Sequence, residues 1–206
     1  MSEASYRTID GPGESAFEIR GSRFLGHARP VRSADAADAF LAEIESEYGD
    51  ATHNVPAYRV RTGDGTPGEG MLREYADDDG EPTGSAGKPA LNVLVQRDLE
   101  NVAAVVTRYY GGTNLGVGGL ARAYSRAVTE AVDDARVVEH EPREELWIAV
   151  GYDDSGTVRG IVESTDATFE AVYEERVTFE VLVPRSGAGD LRDRIRSATS
   201  GRAEIE

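Results

Sequence analysis

"VVTRYYGGTNLGVGGLARAY", residues 105–124, passes from an apolar strand pattern through a glycine-rich loop into a helix pattern. Two architectures compete for it. "GVGGLA", Gly116 to Ala121, fits the G-x-G-x-x-A fingerprint of a dinucleotide-binding turn, and Glu139 stands about 20 residues on, where a ribose-binding acid would sit. In that fold the strand turns tightly into the first glycine. Here the strand pattern ends near Tyr110 and Gly116 comes six positions later. The spacing therefore points away from a nucleotide fold and toward a mobile, backbone-rich loop between strand and helix.

The neighbouring segments support that reading. "AFEIRGSRFLGHARPV" (16–31) is strand-like with a bend at Gly21. "SADAADAFLAEIESEYG" (33–49) places Ala37, Phe40, Leu41, Ile44 and Tyr48 at helical spacing, with Ser33 or Asp35 as N-cap and Gly49 as stop. "VPAYRVR" (55–61) and "MLREYA" (71–76) read as strands joined by the loop "TGDGTPGEG" (62–70). "SAGKPALNVLVQRD" (85–98) reads as a helix with Pro89 in its first turn. "NVAAVVTRYY" (101–110) is a buried strand, "GGTNLGVGG" (111–119) a loop, and "LARAYSRAVTEAVDDA" (120–135) an amphipathic helix. His53 then falls at the end of the first helix.

The pattern changes after "RVVEHEPREE". "LWIAVGY" (146–152) is a strand, and "DSGTVRGIVEST" (154–165) a short helix capped by Asp153, Asp154 or Ser155. "ATFEAVYEERVTFEVLVP" (167–184) alternates like a hairpin. "GAGDLRDRIRSATSG" (187–201) is a helix and "RAEIE" (202–206) a last strand. That order, βαββαβ, is the ferredoxin-like motif. The expectation is two domains, 1–142 and 143–206.

The charge is −16, with 38 acidic residues against 22 basic ones, of which one, Lys88, is lysine. Acids are spread along the chain, lysine is nearly absent and arginine is plentiful, which suits solubility in concentrated salt. Against that background a lack of acids is a signal. A uniform spread would put about nine acids in the 48 residues Pro82 to Thr129, which hold two, Asp98 and Glu100, and five bases, Lys88, Arg97, Arg108, Arg122 and Arg126. Ala51 to Gly63 has no acid and carries His53, Arg59 and Arg61. Burial explains "VAAVV" but not the glycine-rich loops, which belong at the surface.

Lys88 follows Gly87, yet Pro82 and Pro89 break the G-x-x-x-x-G-K-[ST] pattern of a phosphate loop. The physics behind that pattern remains. "GSAG" leads into a helix whose first amides lack intrahelical partners, and a lysine beside them makes an anion site. Asp77, Asp78 and Asp79 offer carboxylates to a metal, but the three histidines lack ligand spacing. With no cysteine, thiolate chemistry and disulfides are excluded. No stretch approaches the apolar length of a membrane span, and the polar N-terminus shows no targeting peptide, so the expected location is cytoplasmic.

Four stretches together resemble one family. They are "SRFLGHARPV", "ATHNVPAYRV", "DDGEPTGSAGKPAL" and "VVTRYYGGTNLGVGGLARAY". The resemblance, over about Ser22 to Val132, is to the IMPACT/YigZ family. It implies an N-terminal α+β domain of the ribosomal-protein-five domain-two-like fold and a C-terminal ferredoxin-like domain, a pair similar to the last two domains of elongation factor G. Eukaryotic members regulate translation by restraining a kinase that phosphorylates an initiation factor.

The function expected is a non-enzymatic, translation-associated protein that binds RNA or a ribosome-associated partner, with no cofactor or metal and no membrane. The expected binding site joins His53, Asn54, Glu81, Thr83, Ser85, Lys88, Arg108 and Tyr109 to Gly111, Gly112, Gly116, Gly118 and Gly119. Lys88 and Arg108 would hold phosphate, the loop amides would donate to it, and Tyr109 would stack a base. The alternative is a small enzyme on a phosphorylated metabolite or nucleotide, with His53 as general base and Glu81 as acid.

Overall fold

The computed structural model describes residues 5–62 and 71–206. The loop expected over 62–70 lies, from residue 63 on, outside the described residues. The chain divides into two compact units, Tyr6–His140 and one built on Glu141–Glu206.

The first unit holds strands β1 (Tyr6–Ile9), β2 (Gly13–Ile19) and β3 (Ser22–Pro30), then helix α1 (Ala34–Glu47). Strands β4 (His53–Thr62) and β5 (Met71–Ala76) follow, then α2 (Gly87–Gln96), β6 (Val102–Tyr109), α3 (Val117–Asp134) and β7 (Val137–His140). Five strands form an antiparallel sheet in the order β2-β3-β6-β4-β5. β6 is central, and its side chains alternate between two cores: Val102, Ala104 and Val106 face α2 and α3, while Ala103 and Val105 face α1. A strand covered on both faces has no polar positions to spare, which is why "VAAVV" is continuous. α1 starts at the Ser33 cap, whose hydroxyl accepts the Ala36 amide.

Three local expectations are corrected. His53 opens β4 and does not end a helix. α3 begins at Val117, so Gly118 and Gly119 form its first turn and are not loop. Glycine costs little there, because first-turn amides have no intrahelical partner to lose. β1 and β7 pair with each other, Ile9 opposite Val137, where no strand was expected.

The second unit runs β8 (Arg143–Val150), α4 (Tyr152–Glu163), β9 (Thr168–Tyr173), β10 (Val177–Pro184), α5 (Arg185–Ala198) and β11 (Glu204–Ile205). The order βαββαβ, with an antiparallel sheet β11-β8-β10-β9, is the ferredoxin-like arrangement. Leu146, Ile148, Val177, Phe179 and Val181 pack one sheet face against Val158, Val162, Leu191 and Ile195 of the helices. Gly151 is the N-cap of α4 and carries no side-chain bond, so Asp153, Asp154 and Ser155 lie inside the helix. The Asp154 carboxylate is held by Arg202 at 2.9 and 2.8 Å.

Candidate functional site

The segment 77–86 turns back along the end of the five-stranded sheet, and its three aspartates hold it there. Asp77 Oδ1 accepts the Asp79 amide at 2.7 Å. Asp79 sits at φ 44 beside Gly80 at φ 80, a left-handed pair that reverses the chain. Asp79 then bridges to β4. Its carboxylate accepts the Asn54 amide at 2.6 Å, and its carbonyl lies 2.6 Å from His53 Nδ1. Asp78 works on the other side. Its carboxylate accepts the amides of Gly84, Ala86 and Gly87 at 2.6, 3.0 and 2.8 Å. Burial acts to raise the Asp78 carboxyl, but those three amides outweigh it and hold it below its ordinary value.

This corrects the anion site expected before α2. The amides that would receive a phosphate already hold a carboxylate of the same chain. Lys88 is exposed one residue further on, and its side chain makes no bond among the described residues. Gly87 is required for packing as well. A Cβ there would lie 2.4 Å from the Asp77 carbonyl oxygen.

Behind this segment lies a buried charged cluster. Glu81 Oε1 accepts Arg108 Nη1 at 2.5 Å and the Tyr124 hydroxyl at 2.8 Å. Arg108 Nη2 donates to Ser22 Oγ at 3.2 Å, and that oxygen also accepts the Gly111 amide at 3.1 Å. The guanidinium sits between the rings of Phe24 and Tyr110, at 5.4 and 5.3 Å. Arg108 is 4% exposed and Glu81 8%. Burial, then the adjacent Glu81 carboxylate, keeps the Tyr124 hydroxyl far above the ordinary tyrosine range, so it remains a donor. Asn54 Oδ1 accepts Thr107 Oγ1 at 2.6 Å and Nδ2 donates to Tyr48 O at 3.3 Å, tying β4, β6 and the end of α1 together.

Arg108 is therefore not free to hold phosphate. A charge this buried needs a partner, and Glu81 is that partner. The same pairing bears on the catalytic alternative. His53 Nε2 is 3.9 Å from Glu81 Oε1, close enough for a proton relay to be considered. But that oxygen already accepts from a guanidinium and a phenol, so it is taken up inside the cluster and not presented to a substrate.

The other expected site residues separate. Thr83 is exposed, whereas Ser85 is fully buried with its hydroxyl unpartnered. Tyr109 donates to Asp50 at 2.8 Å, and Tyr110 to Asn114 at 3.1 Å. Gly111 packs directly on the β2–β3 turn, where a Cβ would lie 1.9 Å from the Gly21 carbonyl carbon. Gly112 and Gly116 take φ 81 and φ 71, and Gly116 caps α3. Ser22, Asp78, Asp79, Thr107 and Tyr124 belong to the network but not to the binding site expected from sequence, although all five lie in the four motif stretches and Asp78 and Asp79 were weighed there only as metal carboxylates.

A second feature lies on the outer side of α2 and α3. A groove of about 640 Å³ runs between them, bordered by Pro89, Asn92 and Gln96 on one helix and Arg122, Ser125 and Arg126 on the other. α2 contains no acid, and α3 has none before Glu130. Arg126 bonds Glu130 at 2.7 Å and lies 4.1 Å over the Phe17 ring, while the Arg122 side chain makes no bond among the described residues.

Comparison with known proteins is consistent throughout. The Impact N-terminal domain matches residues 20–132. The chain belongs to the IMPACT family. A domain of unknown function, DUF1949, matches residues 148–202. The IMPACT family member YvyE of Bacillus subtilis (strain 168) is 36% identical over 98% of this chain and 90% of its own length. The Protein IMPACT homolog of Saccharomyces cerevisiae is 33% identical over 47% of this chain and 36% of its own length. A crystal structure of a hypothetical protein, 27% identical, aligns over 98% of this chain and 96% of that one with a TM-score of 0.64. The IMPACT match thus covers the buried Glu81–Arg108 cluster and the groove. Among the described residues no helix is long and apolar enough to cross a membrane.

Proposed function

We propose that this IMPACT family member is a non-enzymatic protein of translation that binds RNA, free or on the ribosome, through the outer face of α2 and α3. The observation that carries the reading is the groove between those helices. In a chain of charge −16 its lining carries no acid, and two cations without an ion pair among the described residues stand at it, Arg122 in the lining and Lys88 beside Pro89. Lys88 stands one turn before Asn92, hence on the helix face that Asn92 presents to the groove, and next to Pro89 at its border. Point charges suit phosphate, and Asn92, Gln96 and Ser125 add neutral donors. The family resemblance supports the same direction, since its eukaryotic members regulate translation. In this reading the Glu81–Arg108 cluster is the support that fixes segment 77–86 and, through it, the start of α2.

The test is binding of RNA and of ribosomes by Lys88→Ala, Arg122→Ala and the double variant. Each single change removes a charge-assisted contact and should weaken binding roughly tenfold to a hundredfold. Melting should be unchanged, because exposed, unpaired cations contribute little to the fold. Arg32→Ala, exposed and remote from the groove in sequence, is the control. Molar salt screens nonspecific phosphate attraction. Wild-type affinity in the double variant under those conditions would end the proposal.

A further inference from the structure

The ferredoxin-like unit covers one face of its sheet with α4 and α5, and among the described residues no helix or strand covers the other. Cross-strand register identifies the bare positions. Glu180 of β10 stands between Trp147 of β8 and Glu170 of β9, and Leu182 between Glu145 and Thr168. Thr178 stands between Ala149 and Val172, with Glu204 of β11 beyond Ala149. Three large apolar side chains lie open there, Trp147 at 44%, Val172 at 45% and Leu182 at 42% exposure.

The charges on this face are mainly acidic, and three of the acids are unpaired. Among the described residues Glu145, Glu170 and Glu180 form no ion pair. Glu204 is matched by Arg176 at 2.7 Å, and the face's one strand-borne arginine, Arg143, stands at the first residue of β8 near Asp166. Other arginines of the unit serve acids and hydroxyls apart from Glu145, Glu170 and Glu180. Arg159 reaches Glu163 and Tyr173, Arg192 reaches Glu144, Arg194 reaches Asp190 and Arg196 reaches Asp193. Directly opposed like charges destabilise a sheet, and Glu170 and Glu180 are such a pair. A cation between them would relieve that repulsion.

We infer that this face docks a basic polypeptide segment, whose arginine or lysine heads sit among Glu145, Glu170 and Glu180 while its apolar side chains cover Trp147, Val172 and Leu182. Charge complementarity selects this occupant. Phosphate would meet three unpaired carboxylates, and a second copy of the face would set those carboxylates against their own kind. Arginine also stacks on an indole face, so Trp147 recognises both the apolar and the cationic part of such a segment. The inference is independent of the groove between α2 and α3.

The chain's single tryptophan is Trp147, so its emission reports on this face alone. The experiment titrates the full chain with three probes: a short peptide of alternating arginine and leucine, poly-glutamate, and oligo-uridylate. The buffer is about 1 M KCl, where the Debye length is about 3 Å and only contacting charges survive. The expected result is a saturable blue shift with the basic peptide and none with the other two. Glu180→Lys should weaken that binding at least tenfold while melting at or above the wild-type temperature, because it places a lysine opposite Glu170. Glu45→Lys, the same charge change on α1, should leave binding intact. The inference is overturned by a saturable response to oligo-uridylate, by a blue shift that tracks self-association without peptide, by no response to the basic peptide, or by equal loss in the two lysine variants.

Discussion

The Asp78 carboxylate lies 2.8 Å from the Gly87 amide, so the anion at the start of α2 is a side chain of the chain itself. One residue thereby caps a helix, fixes a glycine turn through Gly84 and Ala86, and anchors the segment that carries Glu81. Asp78→Ala should cost about 2 kcal/mol, the loss of a helix cap with charge-assisted bonds. The acid response carries the sign. The folded carboxyl is held below its usual value, so its contribution is complete above about pH 4 and disappears as pH falls through the lower folded value. Asp78→Ala should therefore lose less stability than the wild type on acidification below pH about 4, as followed by urea midpoints.

The Glu81–Arg108 pair makes a different demand. Arg108→Met strands a buried carboxylate and should cost about 3–5 kcal/mol, whereas the double change to Glu81→Leu and Arg108→Met should cost clearly less than the sum of the singles. A double-mutant cycle in denaturant measures the difference. Additive costs would mean that the two side chains do not depend on each other. If Arg108 instead served to bind phosphate, Arg108→Met would weaken RNA binding with little loss of stability.

Much of the architecture was written in local pattern. Met71–Ala76 was read as it stands, because turn residues mark its limits, and the start of α1 was narrowed to Ser33 or Asp35, of which Ser33 is the cap. The order of the ferredoxin-like unit was legible for the same reason: its strands alternate and glycine punctuates its helices. β1 and β7 were not legible, since four residues carry little periodicity and the partner is distant in sequence. The site was legible only as a set of names. His53, Asn54, Glu81 and Arg108 do come together. No periodicity could say that Asp78 would fill the α2 amides or that Tyr124 and Ser22 would complete the cluster. Such bonds depend on how distant segments meet, and that leaves no trace in spacing.

His27 gives the fold a second pH response. It is buried in β3 against the Tyr48 ring at 5.1 Å, with Nε2 unpartnered. Burial lowers its pKa, Glu14 and Glu47 pull the other way, and Arg29 adds to the lowering. The unfolded chain takes up a proton near pH 6.5 while the folded chain resists, so stability is complete above about 6.5 and lost as pH falls below it. The expected slope is at most about 1.4 kcal/mol per pH unit, and His27→Gln should remove it. Denaturation midpoints of the two proteins compared between about pH 7.5 and pH 5 measure this; parallel curves would assign the response elsewhere.

The charge of −16 sets the last expectation. Exposed ion pairs such as Arg29–Glu43 contribute little each and weaken with salt, so they alone would make the fold less stable in KCl. Repulsion among the excess acids works in the opposite direction and is long-ranged, with a Debye length of about 30 Å at 0.01 M that contracts to about 3 Å at 1 M. Where acids outnumber bases 38 to 22, the second effect should prevail. Melting temperature should therefore rise steadily between about 0.05 M and 2 M KCl, with loss of structure at the low end. The opposed pair Glu170 and Glu180 supplies an internal check. Replacing both by glutamine removes one local source of repulsion, so the variant should hold its structure at a lower salt concentration than the wild type. Identical melting at both ends of the KCl range would show that self-repulsion is not what limits this fold, and its acidity would then require a basic partner as its explanation.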